Sequence, residues 1–186
     1  LCSTMSVHAA NNGLITQQII INMDEAGTLP TRISSTSKYK VTNLKIIGDI
    51  NGSDIQLIRD MAGCNYVGKK TDGHLSVLDL SEANIVEGGD CYCAGGYDEF
   101  NYYVNGTTYS ITGGRYSKKD VIGEFFFYGC DKLLNVILPN TIKSIAHAAF
   151  VKCSNLKSVT SLSRLTEIGP SAFLECSHLT TVALPS

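Results

Sequence analysis

IGPSAFLECSHLTTVALP, from Ile168 to Pro185, decides the fold, because two earlier parts of the chain repeat it at an offset of 23 residues. FLEC (Phe173 to Cys176), FVKC (Phe150 to Cys153) and FYGC (Phe127 to Cys130) are the most visible copies. Ile122, Ile145 and Ile168 stand five residues before each Phe, Leu133, Leu156 and Leu179 follow each Cys by three, and Val136, Val159 and Val182 complete the register. The unit reads IGxxAFxxCxxLxxVxLP. Self-similarity at a fixed period marks a repeat array, in which each unit buries its apolar face only by stacking on its neighbours.

Within the unit, LTTVALP alternates Val182 and Leu184 with Thr181 and Ala183, the period of a half-buried strand. Gly169 and Pro170 before Ala172 and Phe173 predict a short helical turn that carries the latter two inward. The period lies within the roughly 20–29 residues of leucine-rich repeats. The expected fold is α/β: a leucine-rich-repeat solenoid with a parallel sheet, short helical turns and an N-terminal capping region. Equivalent positions of adjacent coils stack at about 4.8 Å, so Phe127, Phe150 and Phe173 should form one column and Cys130, Cys153 and Cys176 another. Parallel Cβ vectors are poorly aimed for disulfides, which favours buried free thiols. Repetition between apolar neighbours also argues against a nucleophile, which needs exposure, positive charge and a nearby base.

Upstream, residues 10–73 read as the capping region. TQQIIINM and AGTLPTRI predict a strand and a short helix, and KVTNLKII a strand ending near Ile47. A helix near residues 53–62 follows, its start assigned to a Ser53/Gln56 capping box and its inner face to Ile55, Ile58 and Met61. Residues 74–186 read as the solenoid. HLSVLDLS places Leu75, Leu78 and Leu80 at the offsets of Leu133, Val136 and Leu138. The rhythm lapses at about residues 84–118, a Tyr/Gly-rich insertion.

That insertion, with CYCAGGYDEFNYYVNGTTYSITGGRY at its heart, holds six of the nine tyrosines. Asn105-Gly106 between strand-like residues predicts a hairpin with Tyr102, Tyr103 and Tyr109 on its arms. Two readings stand: aromatics packing on the core, as large aromatics usually do, or a displayed patch with Tyr97, Tyr102, Tyr103 and Tyr109 as ligand contacts. The outward strand positions Asn135, Ile137, Ser158, Thr160, Thr181 and Ala183 form a small, nearly uncharged stripe, either a solvated sheet face or a binding surface. Asn135, Ser158, Thr160 and Thr181 are its polar candidates for contact.

Composition narrows the function classes. Of 186 residues 44% are hydrophobic, enough for one core, and Lys plus Arg number 15 against 17 Asp plus Glu. No basic run could track phosphates, which disfavours nucleic acid. No apolar run approaches the roughly 20 residues of a spanning helix, which disfavours membrane insertion. The opening LCSTMSVHAANN lacks an initiator Met and sets Val7 and Ala9 at small-residue cleavage positions, so residues 1–9 read as a signal-peptide remnant or an ordinary terminus, with a lipid-bearing Cys2 a minor variant. Asp49, Asn51 and Ser53 imitate a calcium loop, but Gly52 and Asp60 break its pattern. Cys91-x-Cys93 has no second thiol or histidine pair at zinc spacing, leaving loop disulfide chemistry as the better reading. His147 and His178 read as solvated positions. No catalytic triad spacing and no phosphate cradle emerges, so no catalytic residue, metal or cofactor is assigned.

Together the capping segment KYKVTNLKIIGDINGSDIQLIRDMAG, HLSVLDLSEANIVEGG and the FxxCxxLxxVxLP coils resemble the BspA-type leucine-rich-repeat proteins over roughly residues 17–186. The resemblance implies an exported protein, extracellular or on the bacterial outer cell surface, whose adhesion-type module binds host or bacterial surface proteins or glycans without catalysis. Ser161, where other coils carry Leu, departs from the pattern, and the array stops after one strand, which reads as truncation at the C-terminus. A second reading makes the repeats a scaffold or accessory domain of a longer surface enzyme, a third a passive stalk.

Overall fold

A computed structural model describes residues 13–95, 101–104, 107–110, 113–160 and 163–182. Along the chain lie β1 (Ile19–Met23), α1 (Leu29–Arg32), β2 (Asn43–Ile50), α2 (Gly52–Met61), β3 (Val77–Ile85), β4 (Gly88–Gly95), β5 (Asn101–Val104), β6 (Thr107–Ser110), β7 (Gly113–Ser117), β8 (Val121–Ile122), β9 (Asn135–Ile137), β10 (Ser144–Ile145), β11 (Ser158–Thr160), β12 (Glu167–Ile168) and β13 (Thr181–Val182). The fold mixes α and β, with few helices and two parallel sheets.

The main sheet has six strands in the order β1-β2-β3-β9-β11-β13, all pairs parallel. Val136, Val159 and Val182 fall in one row, as their 23-residue offset requires. A three-stranded parallel sheet, β12-β10-β8, contains the recurring isoleucines, pairing Ile122 with Ile145 and Ile145 with Ile168. Each repeat thus contributes one strand to each sheet. Val77 pairs with Asn135, 58 positions on, so β3 and β9 are neighbours while the chain between them leaves the array and returns through β4 to β7. β3 itself runs on to Ile85.

Between the two sheets of each repeat the expected helical turn is replaced by consecutive tight turns. Phe125, Ala148 and Ser171 have positive φ, as do Gly129, Lys152 and Glu175, two left-handed positions that recur every 23 residues. In this alternating backbone the N–H groups of Phe125, Phe127 and Gly129 donate to His147, Ala149 and Val151 of the next repeat at 2.7–3.4 Å. The intervening N–H groups of Phe126, Tyr128 and Cys130 donate three residues back within their own repeat. A helix would turn every N–H back along its own axis and leave none to join neighbouring repeats.

The core is one contiguous cluster reaching from Met23 to Ala172. Phe127 and Phe150 are fully buried with centroids 5.1 Å apart, and Phe150 stacks on Phe173 at 5.1 Å and 17°. Cys130, Cys153 and Cys176 are free thiols, the first two fully buried and the last half-buried. The column that the period predicts is present.

Helix α2 lies close to where the sequence puts it, with Ile55, Ile58 and Met61 buried, but its capping residues differ from the expectation. Asn51 Oδ1 accepts from Ser53 N–H at 3.1 Å, and Asp54 accepts from Asn51 N–H at 2.9 Å. Ser53 Oγ instead donates to Asp90, and Gln56 Nε2 donates to the Cys91 carbonyl, so both expected capping residues serve the insertion. The helix fits closely there: a Cβ on Gly52 would meet the Asp90 carbonyl oxygen at 1.8 Å. Asp54 is fully buried and also accepts from Gly27 N–H at 2.6 Å and Leu29 N–H at 2.9 Å. Three backbone donors therefore depend on one carboxylate. Asp54→Ala is expected to cost about 2–4 kcal/mol in urea unfolding, since buried donors lose charge-assisted acceptors. Asp54→Asn, which keeps one acceptor oxygen, should fall between it and the parent.

Candidate functional site

The insertion is built as two antiparallel pairs. β4 pairs with β7, matching Cys93 with Arg115 and Ala94 with Gly114. β5 pairs with β6, matching Tyr102 with Tyr109 and Tyr103 with Thr108, so all three tyrosines lie on paired strands, the arms that the sequence predicts. Tyr97 and the side chains of Tyr102, Tyr103 and Tyr109 lie outside the described residues. Tyr92, which the sequence left unassigned, is buried at the base of the insertion, 5.0 Å from Phe126, and its hydroxyl donates to the Glu124 carbonyl at 3.0 Å. Of the two readings for the tyrosines, packing on the core holds for Tyr92. Tyr116 by contrast is 59% exposed, and the neighbouring Arg115 donates through Nε to Glu124 at 2.7 Å.

Cys91 and Cys93 are both free thiols, which corrects the disulfide reading. Cys91 is half-buried and Cys93 fully buried. Burial pushes the Cys93 thiol up to about 11, against the lowering effect of Arg59, so it is protonated at neutral pH. Among the described residues no three His, Cys, Asp or Glu side chains gather as a metal site.

Arg59 is the residue that sequence reasoning missed. It is fully buried in α2, and its guanidinium donates to the carbonyls of Phe125 (2.8 Å), Phe126 (2.9 Å), Asn65 (3.2 Å) and Tyr128 (3.3 Å). No carboxylate shares this site among the described residues; Cys64 lies 3.9 Å from Nη2. Carbonyl dipoles of the first repeat's turn thus take the place of a counter-ion. Its position four residues after Ile55 was the only hint. The contact joins α2 to the repeats, and its role is structural.

The outward face of the main sheet carries the other candidates. Register aligns Asn43, Val77, Asn135, Ser158 and Thr181 in one row, and Ile20, Lys45, Asp79, Ile137 and Thr160 in the next. Ser158 Oγ donates to Asn135 Oδ1 at 2.8 Å, and Gln18 Nε2 donates to Asn43 Oδ1 at 3.3 Å. The uncharged stripe therefore holds over β9, β11 and β13 but gives way on β2 and β3 to an ion cluster. There Lys45 lies 3.5 Å from Asp79 and 2.6 Å from Glu82. Burial of Asp79 is outweighed by bonds from Ser81 and by Lys45, which hold its carboxyl below the usual range. Tertiary pairing across the insertion brings these charges beside the neutral rows. Ala183 lies outside the described residues. His147 packs edge-on to Phe125 at 5.7 Å and is not a simply solvated position, whereas His178 is exposed, its Nδ1 2.6 Å from the Ser154 carbonyl.

Among the described residues no helix is long and apolar enough to cross a membrane. Residues 101–186 match the family described as BspA type leucine rich repeat region, in six copies. The match begins at Asn101 and so takes in the β5–β6 hairpin as well as the repeats. No curated protein matches the chain. Such repeats suggest a protein-interaction module.

Proposed function

From the premise that the chain belongs to the BspA-type leucine-rich-repeat family through residues 101–186, we propose that it is a non-enzymatic recognition module, secreted or held on a bacterial cell surface. In this reading the repeats form a solenoid that residues 13–73 cap at one end, and its partners are host or bacterial surface proteins or glycans bound in adhesion. The observation that carries the proposal is the pair of in-register outward rows, each across five of the six strands. A parallel ladder with small side chains on β9, β11 and β13 offers a flat surface a partner can approach closely. The β5–β6 hairpin, rich in tyrosine, is the second contact element.

The test is a binding screen of the chain against immobilised extracellular-matrix proteins and glycans, repeated with Ser158→Lys/Thr160→Lys on the sheet face and Tyr102→Ala/Tyr103→Ala on the hairpin. A central lysine pair in the contact should weaken binding about tenfold or more, because it must be buried unpaired. Loss in either variant, with far-UV circular dichroism unchanged, supports that surface. Protein binding that survives in both, or no binding anywhere in the screen, overturns the reading.

A further inference from the structure

Away from both of those surfaces lies a cleft of about 390 Å³, walled by Lys38, Tyr39, Gln56, Asp60, Asn65 and Tyr66. Its walls are held in place. Asp60, on α2, accepts from Lys38 Nζ at 2.5 Å and from the Tyr39 hydroxyl at 3.2 Å, with its side chain only 17% exposed. Gln56 is anchored through Nε2 to the Cys91 carbonyl at 2.6 Å, which leaves its amide oxygen as an acceptor for the cleft. The opposite wall is tied down at Tyr66, whose carbonyl accepts from Ala94 N–H at 2.8 Å, and at Asn65, whose Oδ1 accepts from Val67 N–H and Lys69 N–H. Tyr66 itself is 43% exposed, a large ring left facing solvent on an otherwise fixed loop.

The chemistry of this lining selects a ligand class. Lys38 and Asp60 neutralise each other, so no net charge remains to attract an ion. What the cleft presents is an exposed aromatic ring beside a fixed set of donors and acceptors: the Lys38 ammonium, the Tyr39 hydroxyl, the Gln56 carbonyl and the Asn65 amide. A pyranose ring complements that arrangement, with a C–H face to lie on the tyrosine and equatorial hydroxyls that both donate and accept. We propose that this cleft is a binding site for a neutral saccharide. It does not depend on the outward sheet rows or on the hairpin, so its failure would leave the recognition surfaces above untouched. Because the walls are preorganised, ordering them costs little on binding.

The proposal is tested by amide-resolved NMR titration of the whole chain with glucose, galactose and N-acetylglucosamine, with inorganic phosphate and a glycine tripeptide as controls. The expected result is shifts confined to the amides of Tyr39, Gln56, Asn65 and Tyr66 with at least one sugar. Tyr66→Ala should weaken that affinity about tenfold while Tyr66→Phe, which keeps the ring, holds it within about threefold. An unchanged amide spectrum elsewhere serves as the folding control. No shift with any of the sugars overturns the proposal, as does a response to phosphate or the tripeptide in their place. Equal binding by Tyr66→Ala overturns it too.

Discussion

Arg59→Ala is expected to destabilise the protein by about 3–5 kcal/mol, the cost of breaking a buried charged site, bonded through both terminal nitrogens, from one side. The substitution leaves a void in the core and takes the donor from the carbonyls of Phe125, Phe126, Asn65 and Tyr128. Two further variants separate those causes. Arg59→Met fills the space without donors and needs no charge buried, so it should recover part of the loss, about 1–2 kcal/mol. Arg59→Lys should recover little, because a single ammonium cannot span carbonyls that a planar guanidinium fork reaches together. The guanidinium is the tie between α2 and the first repeat's turn, so its removal should also lower cooperativity, with the α2 region unfolding before the repeats. Far-UV circular dichroism and tyrosine fluorescence across a urea titration read both effects, since the chain has no tryptophan. An unfolding free energy within about 0.5 kcal/mol of the parent would show that the carbonyls find other donors.

The second large effect is expected at Phe150. Its ring is fully buried between Phe127 and Phe173, with both centroids at 5.1 Å. Phe150→Ala should cost about 3–5 kcal/mol for the lost transfer energy and the cavity, with the two ring contacts adding to it. Phe173→Ala, at a half-buried site, should cost clearly less. The Cys153 thiol beside this column donates to the Phe127 carbonyl at 3.0 Å, and Cys176 donates to Phe150 in the same way. Each sulfur therefore bridges its own repeat to the one before, beyond filling space. Equal costs for Phe150→Ala and Phe173→Ala in thermal or urea unfolding would mean that the column is not packed as a continuous stack.

How far the sequence reaches differs between the parts of this protein. Wherever the 23-residue period holds, a residue's neighbours are the residues one period away, and that alone assigns Phe150 to Phe127 and Phe173, Val159 to Val136 and Val182, and the paired strands to a parallel ladder. The hairpin was equally legible, because Asn-Gly between strand-like residues is a local cue. Two expectations failed at places where a local cue competed with a distant partner. Gly169-Pro170 suits a helix start, but hydrogen bonds to the adjoining repeat replaced the helix with left-handed turns. Ser53 and Gln56 form a capping pattern, yet both bond to the insertion while Asn51 and Asp54 cap the helix.

The sequence by itself determined the repeat and its inward and outward positions, because both follow from spacing along one chain. Only the tertiary structure decided where Arg59 is buried, how Lys45 and Asp79 meet on the outer face, and how Tyr39, Gln56, Asp60 and Tyr66 converge on one cleft. The physical reason is common to all three. In the repeats, stacking makes contact a function of sequence separation, whereas outside them partners come from elements of unlike sequence, joined by packing that no period encodes.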